Sequence, residues 1–499
     1  MKAHGSNMGR GVIAAGHPAT AAVGGEILRN GGNAVDAAVA AVLASFAAEP
    51  LLTGLGAGGY MLVATPTGEV VVLDFFVEAP GRGGDRSARA ELEPIEVSFG
   101  DATQVFHIGA AAVGPYGTPA GICAAVARFA TRPLSQLAAP AIEMAAAGVP
   151  LSHTQAYVIK ILEGIVTSTP ECAAIYAPGG VLLGEGDLIR QPDLALGLEV
   201  LGADGAAPFY TGEIAQKVLA ALEGKGAMLT AEDLAAYRVI EREPVRMRYR
   251  DREVVANPPP SAGGTLIAYA LALLERSSGV PSSLALVDTM ADAQQERTPQ
   301  FLDGLDEDGF LDRFMAAKLG STTHISVLDC DGWAASVTCS NGEGSGIVVP
   351  GSGIHLNNML GEEDLNPEGF HNYPPGRRLP SMMCPMMVLS DGLPELVLGS
   401  AGSNRIRSAL AQTVVAVVDR GLSIVDAVDA PRVHFEDGVV FVEPGVDVSG
   451  LEEAGAEIAR FSEPNLFFGG VAAVRRDRET GAFSGAGDPR RGGAAEVVA

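Results

Sequence analysis

Apolar and polar positions change period several times along the chain, and each change marks an element. "GHPATAAVGGEILRNGGNAVDAAVAAVLASFAAEP" (16–50) holds two helical stretches, with Gly31-Gly32-Asn33 supplying the cap and turn between them. The second is so rich in Ala and Val, with Asp36 as its early charge, that it reads as a buried helix rather than a membrane span. In "GLGAGGYMLVATPTGEVVVLDF" (54–75) glycines lead into a strand, Pro66–Gly68 make a turn and Val70–Phe75 form a second strand, a β-hairpin.

Residues 116–237 carry mostly helical periodicity. In "TAEDLAAY" Thr230 is placed as an N-cap, with acidic residues in the first turn. "MRYRDREVVANPPPSAGG" reads as a strand followed by a Pro/Gly-rich loop, and "TLIAYALALLE" as a helix. The segment 281–318 is polar, acidic and short of β-branched residues, which predicts a mobile linker or an exposed helix. Strands then dominate: "HISVLD", "AASVTCS", "GIVV", "MMVLS" and "PELVLG", interrupted by the helix "RIRSALAQTVVAVVDRG". The pattern fits an α/β (α+β) chain with paired sheets and helices outside, without internal repeats.

Composition narrows the function classes. The 499 residues are 47% hydrophobic and include 63 Gly, which suits a compact, tightly packed chain. A formal charge of −26 argues against binding phosphate backbones or anionic membranes, so no nucleic-acid or membrane partner is expected. The five cysteines have neither CxxC nor zinc spacing and read as buried free thiols of a reducing compartment. The N-terminal stretch lacks the continuous apolar core of a secretory signal, so a cytoplasmic location is expected. No residue pattern asks for a metal or an organic cofactor.

The chemistry concentrates at "LGSTTHISV", where Thr322-Thr323 enter a strand directly after the polar segment. Threonine becomes a competent nucleophile when a base stands beside it, and at a chain terminus its own α-amine serves. That arrangement requires cleavage just before the threonine. Taken alone, Thr-Thr at a strand start is equally good β propensity.

The chain resembles the γ-glutamyltransferase family of N-terminal-nucleophile hydrolases over nearly its whole length. The resemblance rests on "ATAAVGGEILRNGGNAVDAAVAA", "GLGAGGYMLV", "FYTGEIAQ", "LTAEDLAAYRV", "NPPPSAGGT", "TTHISV…DGWAASVT", "GSGIVVPGSGIHLNNML", "LPSMMCPMMV" and "GSAGSNRI…AVDAPRVH". It implies a four-layer αββα sandwich with two mainly antiparallel sheets. It also implies a self-cleaving precursor in which Thr322 attacks the preceding peptide bond and then serves as the N-terminal nucleophile. Residues 1–321 would form the large subunit, with a flexible tail over about 281–321, and 322–499 the small one; the two stay associated and could pair further as a homodimer. Ser340 would support the nucleophile, and the backbone N–H groups of Gly402 and Ser403 would hold the oxyanion.

The departures lie in the contacts to the substrate's amino-acid head. The family's carboxylate-clamping arginine falls on Phe76 in "DFFVEAP", which cannot make a bidentate charged bond and reads as a core aromatic. Arg82 or Arg86 could reach in, although an exposed arginine in a Gly-rich loop usually faces water. The paired serines become Ser381-Met382, the amide side chain after "LNN" becomes Met359, and the α-amine is left to Asn341 or Glu343. The acidic partner is ambiguous among Glu362, Glu363 and Asp364. Three readings follow: a self-processing hydrolase or acyltransferase acting on a small-molecule amide whose acyl part need not be glutamyl; a true γ-glutamyl hydrolase or transpeptidase of glutathione-like amides with a rearranged clamp; and a catalytically silent member that binds a partner. The same nucleophile could also serve C–C bond hydrolysis.

Overall fold

The computed structural model describes residues 9–98, 103–276, 279–295, 323–366, 368–402, 405–436 and 438–499. Its two main sheets take their strands in chain order from β1 (Gly11–Ala15), β2 (Gly58–Ala64), β3 (Val70–Phe75), β4 (Ile240–Arg242), β5 (Val245–Tyr249), β6 (Arg252–Ala256), β7 (Thr323–Asp329), β8 (Ala334–Ser340), β9 (Met386–Ser390), β10 (Leu393–Ala401), β11 (Gly470–Arg476), β12 (Phe483–Gly487) and β13 (Ala494–Val498). The first sheet runs β13-β1-β7-β8-β2-β3-β4 and the second β12-β11-β10-β9-β6-β5. Every pairing within both is antiparallel.

Both faces of each sheet are covered, so the strands read as continuous apolar runs. In β1 Ile13 and Ala15 pack beneath the helices, while Val12 and Ala14 face the second sheet. The second sheet repeats this, with Val254, Met386 and Val388 under helices and Val255, Met387 and Leu389 between the sheets. The outer layers are built chiefly from α1 (Pro18–Arg29), α2 (Ala34–Ala48), α3 (Leu134–Ala147) and α4 (Pro192–Asp204) on one side, with α5 (Ala262–Glu275), α6 (Ser283–Gln295) and α7 (Arg405–Val418) on the other. The result is the αββα layering that the resemblance implied.

Local chemistry sets the helix ends. Pro18 occupies the first turn of α1, and His17 caps it by accepting from Ala19 N. Asn33 and Asp36 form a reciprocal capping box on α2. Asp329, at the end of β7, accepts from Ala34 N and ties that strand to the start of α2. All fifteen residues of α2 are buried. Small residues permit the close approach: a Cβ on Gly24 of α1 would meet Ala37 O of α2 at 3.1 Å. The Thr230 cap is also present, again as a capping box with Asp233.

Three expectations are corrected. Residues 245–256 form a hairpin rather than one strand. Its turn uses Arg250 at φ 56, held by Glu275 and Asp419 from elsewhere in the chain. The tail does not begin near 281: residues 283–295 are helical, with Leu286, Val287 and Met290 buried, and Met290 Sδ receives a hydrogen bond from Ser408. The remainder of the expected tail, 296–321, lies outside the described residues. Cys330 is exposed, so it is not a buried thiol like Cys172, Cys339 and Cys384.

Candidate active site

The strand that begins at Thr323 is fixed from both sides. His324 points between the sheets, where its ring nitrogens meet Thr338 Oγ1 at 2.8 Å and Ser326 Oγ at 2.9 Å. Burial pushes its imidazole down to about 3, so the ring is neutral. Gly399 of β10 stacks so closely on that ring that a Cβ would come within 2.2 Å of it. His324 is therefore a spacer between the sheets. On the opposite face, Thr323 Oγ1 donates to Glu49 Oε2 at 2.7 Å, and Thr20 Oγ1 donates to Glu49 Oε1 at 3.1 Å.

Thr322 and Ser403 lie outside the described residues. Ser340 ends β8 one position beyond Cys339, the register partner of Thr323. Its buried hydroxyl accepts from Gly342 N at 2.8 Å. Gly402 follows β10 with φ 117, and a Cβ there would sit 2.6 Å from Gly469 Cα. Only glycine fits that combination of dihedral and contact. A small pocket of about 30 Å³ lies beside Thr323, lined among others by Glu49, Thr323, Ala401 and Arg491.

Several head-group candidates converge beyond Ser340. Asn341 is fully buried, and neither its Oδ1 nor its Nδ2 has a hydrogen-bond partner among the described residues. Its backbone is fixed by Leu52 and Asn358. A Cβ on the next residue, Gly342, would lie 2.3 Å from Glu362 Oε1 and 2.1 Å from Asn358 Oδ1, so these side chains crowd one turn. Glu362 is buried and Glu363 is exposed. The Asp364 side chain lies outside the described ones. Ser381 Oγ accepts from Met383 N, and its carbonyl accepts from Ser261 Oγ. Met382 is not brought to this group: it packs with Leu266 and Leu271 under α5, as its apolar side chain favours. Met359 joins the apolar core between the sheets with Phe76.

Phe76 is a core aromatic. It is fully buried and stacks on Tyr60 at 5.5 Å. Its carbonyl accepts from Tyr237 Oη and from Arg378 Nη1, at 2.8 and 2.7 Å. Arg378 is itself buried between Asp74, at 3.4 Å, and Glu78, at 3.2 Å. Arg82, partly exposed, pairs with Glu78 at 2.8 Å, and its backbone N–H donates to Asp233. Arg86 donates to His371 O.

Two residues outside the sequence-derived set matter here, Glu49 and Arg378. Glu49 left a trace in the sequence, a lone acid closing an otherwise apolar helix just before Pro50. Arg378 left none, since its value lies in partners some three hundred positions away. No cluster of metal-ligating side chains occurs among the described residues.

The gamma-glutamyltranspeptidase family profile matches residues 20–304 and 293–498 of this chain. The chain belongs to the γ-glutamyltranspeptidase family. It is an enzyme of the N-terminal-nucleophile hydrolase and transferase type. Among its relatives, the acylase ACY 1 proenzyme of Pseudomonas sp. (strain SE83) is 32% identical over 471 residues, spanning 88% of this chain and 84% of that protein. The glutathione hydrolase proenzyme of Escherichia coli (strain K12) is 32% identical over 477 residues, spanning 86% and 81%. In structure, the cephalosporin acylase from Bacillus halodurans superposes with a TM-score of 0.84 at 26% identity, covering 99% of this chain and 98% of that one. Family members named for acylase and for glutathione hydrolase activity thus stand at equal sequence distance from this chain.

Proposed function

We propose that the chain is a self-cleaving threonine amidohydrolase of the acylase kind, which splits between residues 321 and 322. Thr322 Oγ attacks the amide carbonyl and its proton passes to the α-amine of the same residue. The C–N bond then breaks, the amine leaves with that proton, and water resolves the ester on Thr322. Ser340 supports the nucleophile, and the backbone N–H groups of Gly402 and Ser403 face the developing oxyanion. Cleavage gives a large subunit, 1–321, and a small one, 322–499, held together by their shared sheets.

The observation that carries the acylase reading is the arginine economy around Phe76. At the clamp position a neutral aromatic is buried, and the neighbouring cations Arg378 and Arg82 are bound to Asp74, Glu78 and Asp233. A substrate α-carboxylate would have to displace one of those pairs. The preferred acyl group therefore lacks a carboxylate at that point. The test compares kcat/KM for γ-glutamyl-p-nitroanilide with that for aliphatic acyl p-nitroanilides. At least about 100-fold preference for an aliphatic acyl group, the worth of one lost charged pair, supports the reading; preference for γ-glutamyl refutes it.

One observation favours the second reading, a γ-glutamyl hydrolase with a rearranged clamp. Asn341 is buried with neither polar atom partnered among the described residues, and Glu362 Oε1 packs on the next residue, Gly342, a combination suited to an ammonium group. An acyl group carrying an amine but no carboxylate at its head satisfies both observations.

A further inference from the structure

Glu49 sits where a charge is costly. It is 1% exposed and caps the C-terminal end of α2, where the helix dipole is negative. Burial pushes its carboxyl up to about 7. The surrounding chain is shaped to it: a Cβ on Gly16 would lie 2.5 Å from Oε2, so the backbone there packs directly on the carboxyl. Through two hydroxyls the same group joins three elements, the first turn of α1 at Thr20, the end of α2, and the start of β7 at Thr323. Nothing in the packing requires an acid at this point, since an apolar side chain would close the helix end at lower cost.

We propose that Glu49 is a positioning residue for self-cleavage: its ionised carboxylate, accepting from Thr20 and Thr323 together, fixes the residue that immediately follows the nucleophile and so orients the bond being cut. The inference rests on Thr322 as the nucleophile. An ionised carboxylate accepts both hydroxyls at once. A protonated one has turned one oxygen into a donor, so either Thr20 or Thr323 must reverse its hydroxyl, and the brace loosens. Other charged or titratable groups line or adjoin the same pocket. Asp488 is paired with Arg432 and Arg490, and His324 is held neutral by burial. Arg491 is lowered only to about 10, and His17, lowered from its ordinary value by burial, accepts from Ala19 N in its neutral form. Before cleavage the α-amine of Thr322 is an amide and cannot titrate, so the acid limb of self-cleavage belongs to Glu49.

The test uses full-length precursor from cell-free synthesis, shifted into buffers between pH 5.5 and 8.5 and followed by intact mass. Wild type is expected to cleave faster by about tenfold per pH unit below pH 7 and to level off above it. Glu49→Gln, which keeps shape and hydrogen-bonding oxygen, is expected to cleave slowly and at one rate across the range. A Glu49→Gln precursor that cleaves at the wild-type rate, or slowly with the acid limb intact, overturns the inference while leaving the nucleophile in place. If Glu49→Gln fails to fold by circular dichroism, Thr323→Val decides: slowed cleavage supports the brace, and wild-type cleavage overturns it. A folded wild type that stays whole at every pH overturns the proposed nucleophile, and this inference with it.

Discussion

The two ends of the site use buried charge in opposite ways. Around Thr323 a single carboxyl accepts from two neutral hydroxyls and forms no ion pair among the described residues, and burial pushes it up to about 7. Around Phe76 three arginines (Arg82, Arg242 and Arg378) and three carboxylates (Asp74, Glu78 and Asp233) pair with one another. The first arrangement leaves a group able to change state at Thr323, the residue after the proposed nucleophile. The second binds Arg378 and Arg82 to carboxylates of the same chain. On the proposed function, the side near the nucleophile is thus kept responsive, and the side near Phe76 is made structural.

Breaking the first side should have the largest effect. Thr322→Ala is expected to abolish turnover, a loss of about 10⁴-fold or more measured as kcat/KM on whichever acyl anilide is preferred. Breaking the second side should instead destabilise the protein. Arg378→Met removes one cation from Asp74 and Glu78, which keep Arg242 and Arg82, and takes a donor from the Phe76 carbonyl; it should cost about 1–3 kcal/mol in denaturant unfolding, without altering the choice among acyl groups in the surviving folded fraction.

Stability against pH separates the two regions further. Because the Glu49 pKa is raised in the folded state, the stability it contributes is full below about pH 4.5 and is lost as pH rises through about 7. The shift corresponds to at most about 3 kcal/mol. Melting of Glu49→Gln relative to wild type should therefore shift upward between pH 5 and pH 8, by less than that ceiling. The smallest effect is expected at Arg82, which is partly exposed and pairs with Glu78 and Asp233. Arg82→Ala should cost about 1 kcal/mol or less and leave KM for a γ-glutamyl anilide unchanged. A tenfold rise in that KM would make Arg82 the missing clamp and sharpen the boundary between the two regions.

The contrast also explains what was legible in the sequence. The hairpin of β2 and β3, the buried α2 and the Thr230 capping box follow from near neighbours, and they stand as the local pattern indicated. The β5–β6 turn was missed because Arg250 adopts a left-handed conformation that Glu275 and Asp419 hold from outside the local pattern. The helix at 283–295 looked solvated because its buried stripe, Leu286, Val287 and Met290, is short and is completed by α5 and by residues after 405. Within the site, the apolar character of Phe76 suits the core it joins, whereas the place of Met382 in its motif gives no sign that it lies under α5. Glu49 and Thr323 are separated by 274 positions, and no periodicity reports such a pairing.

The central claim, that the chain cuts itself ahead of Thr322, is tested most directly by the intact mass of the purified wild type beside Thr322→Ala under denaturing conditions. The account predicts two wild-type fragments with the masses of residues 1–321 and 322–499, and one unbroken Thr322→Ala chain. A well-folded wild type that runs as a single chain, or fragments that persist in Thr322→Ala, would contradict it.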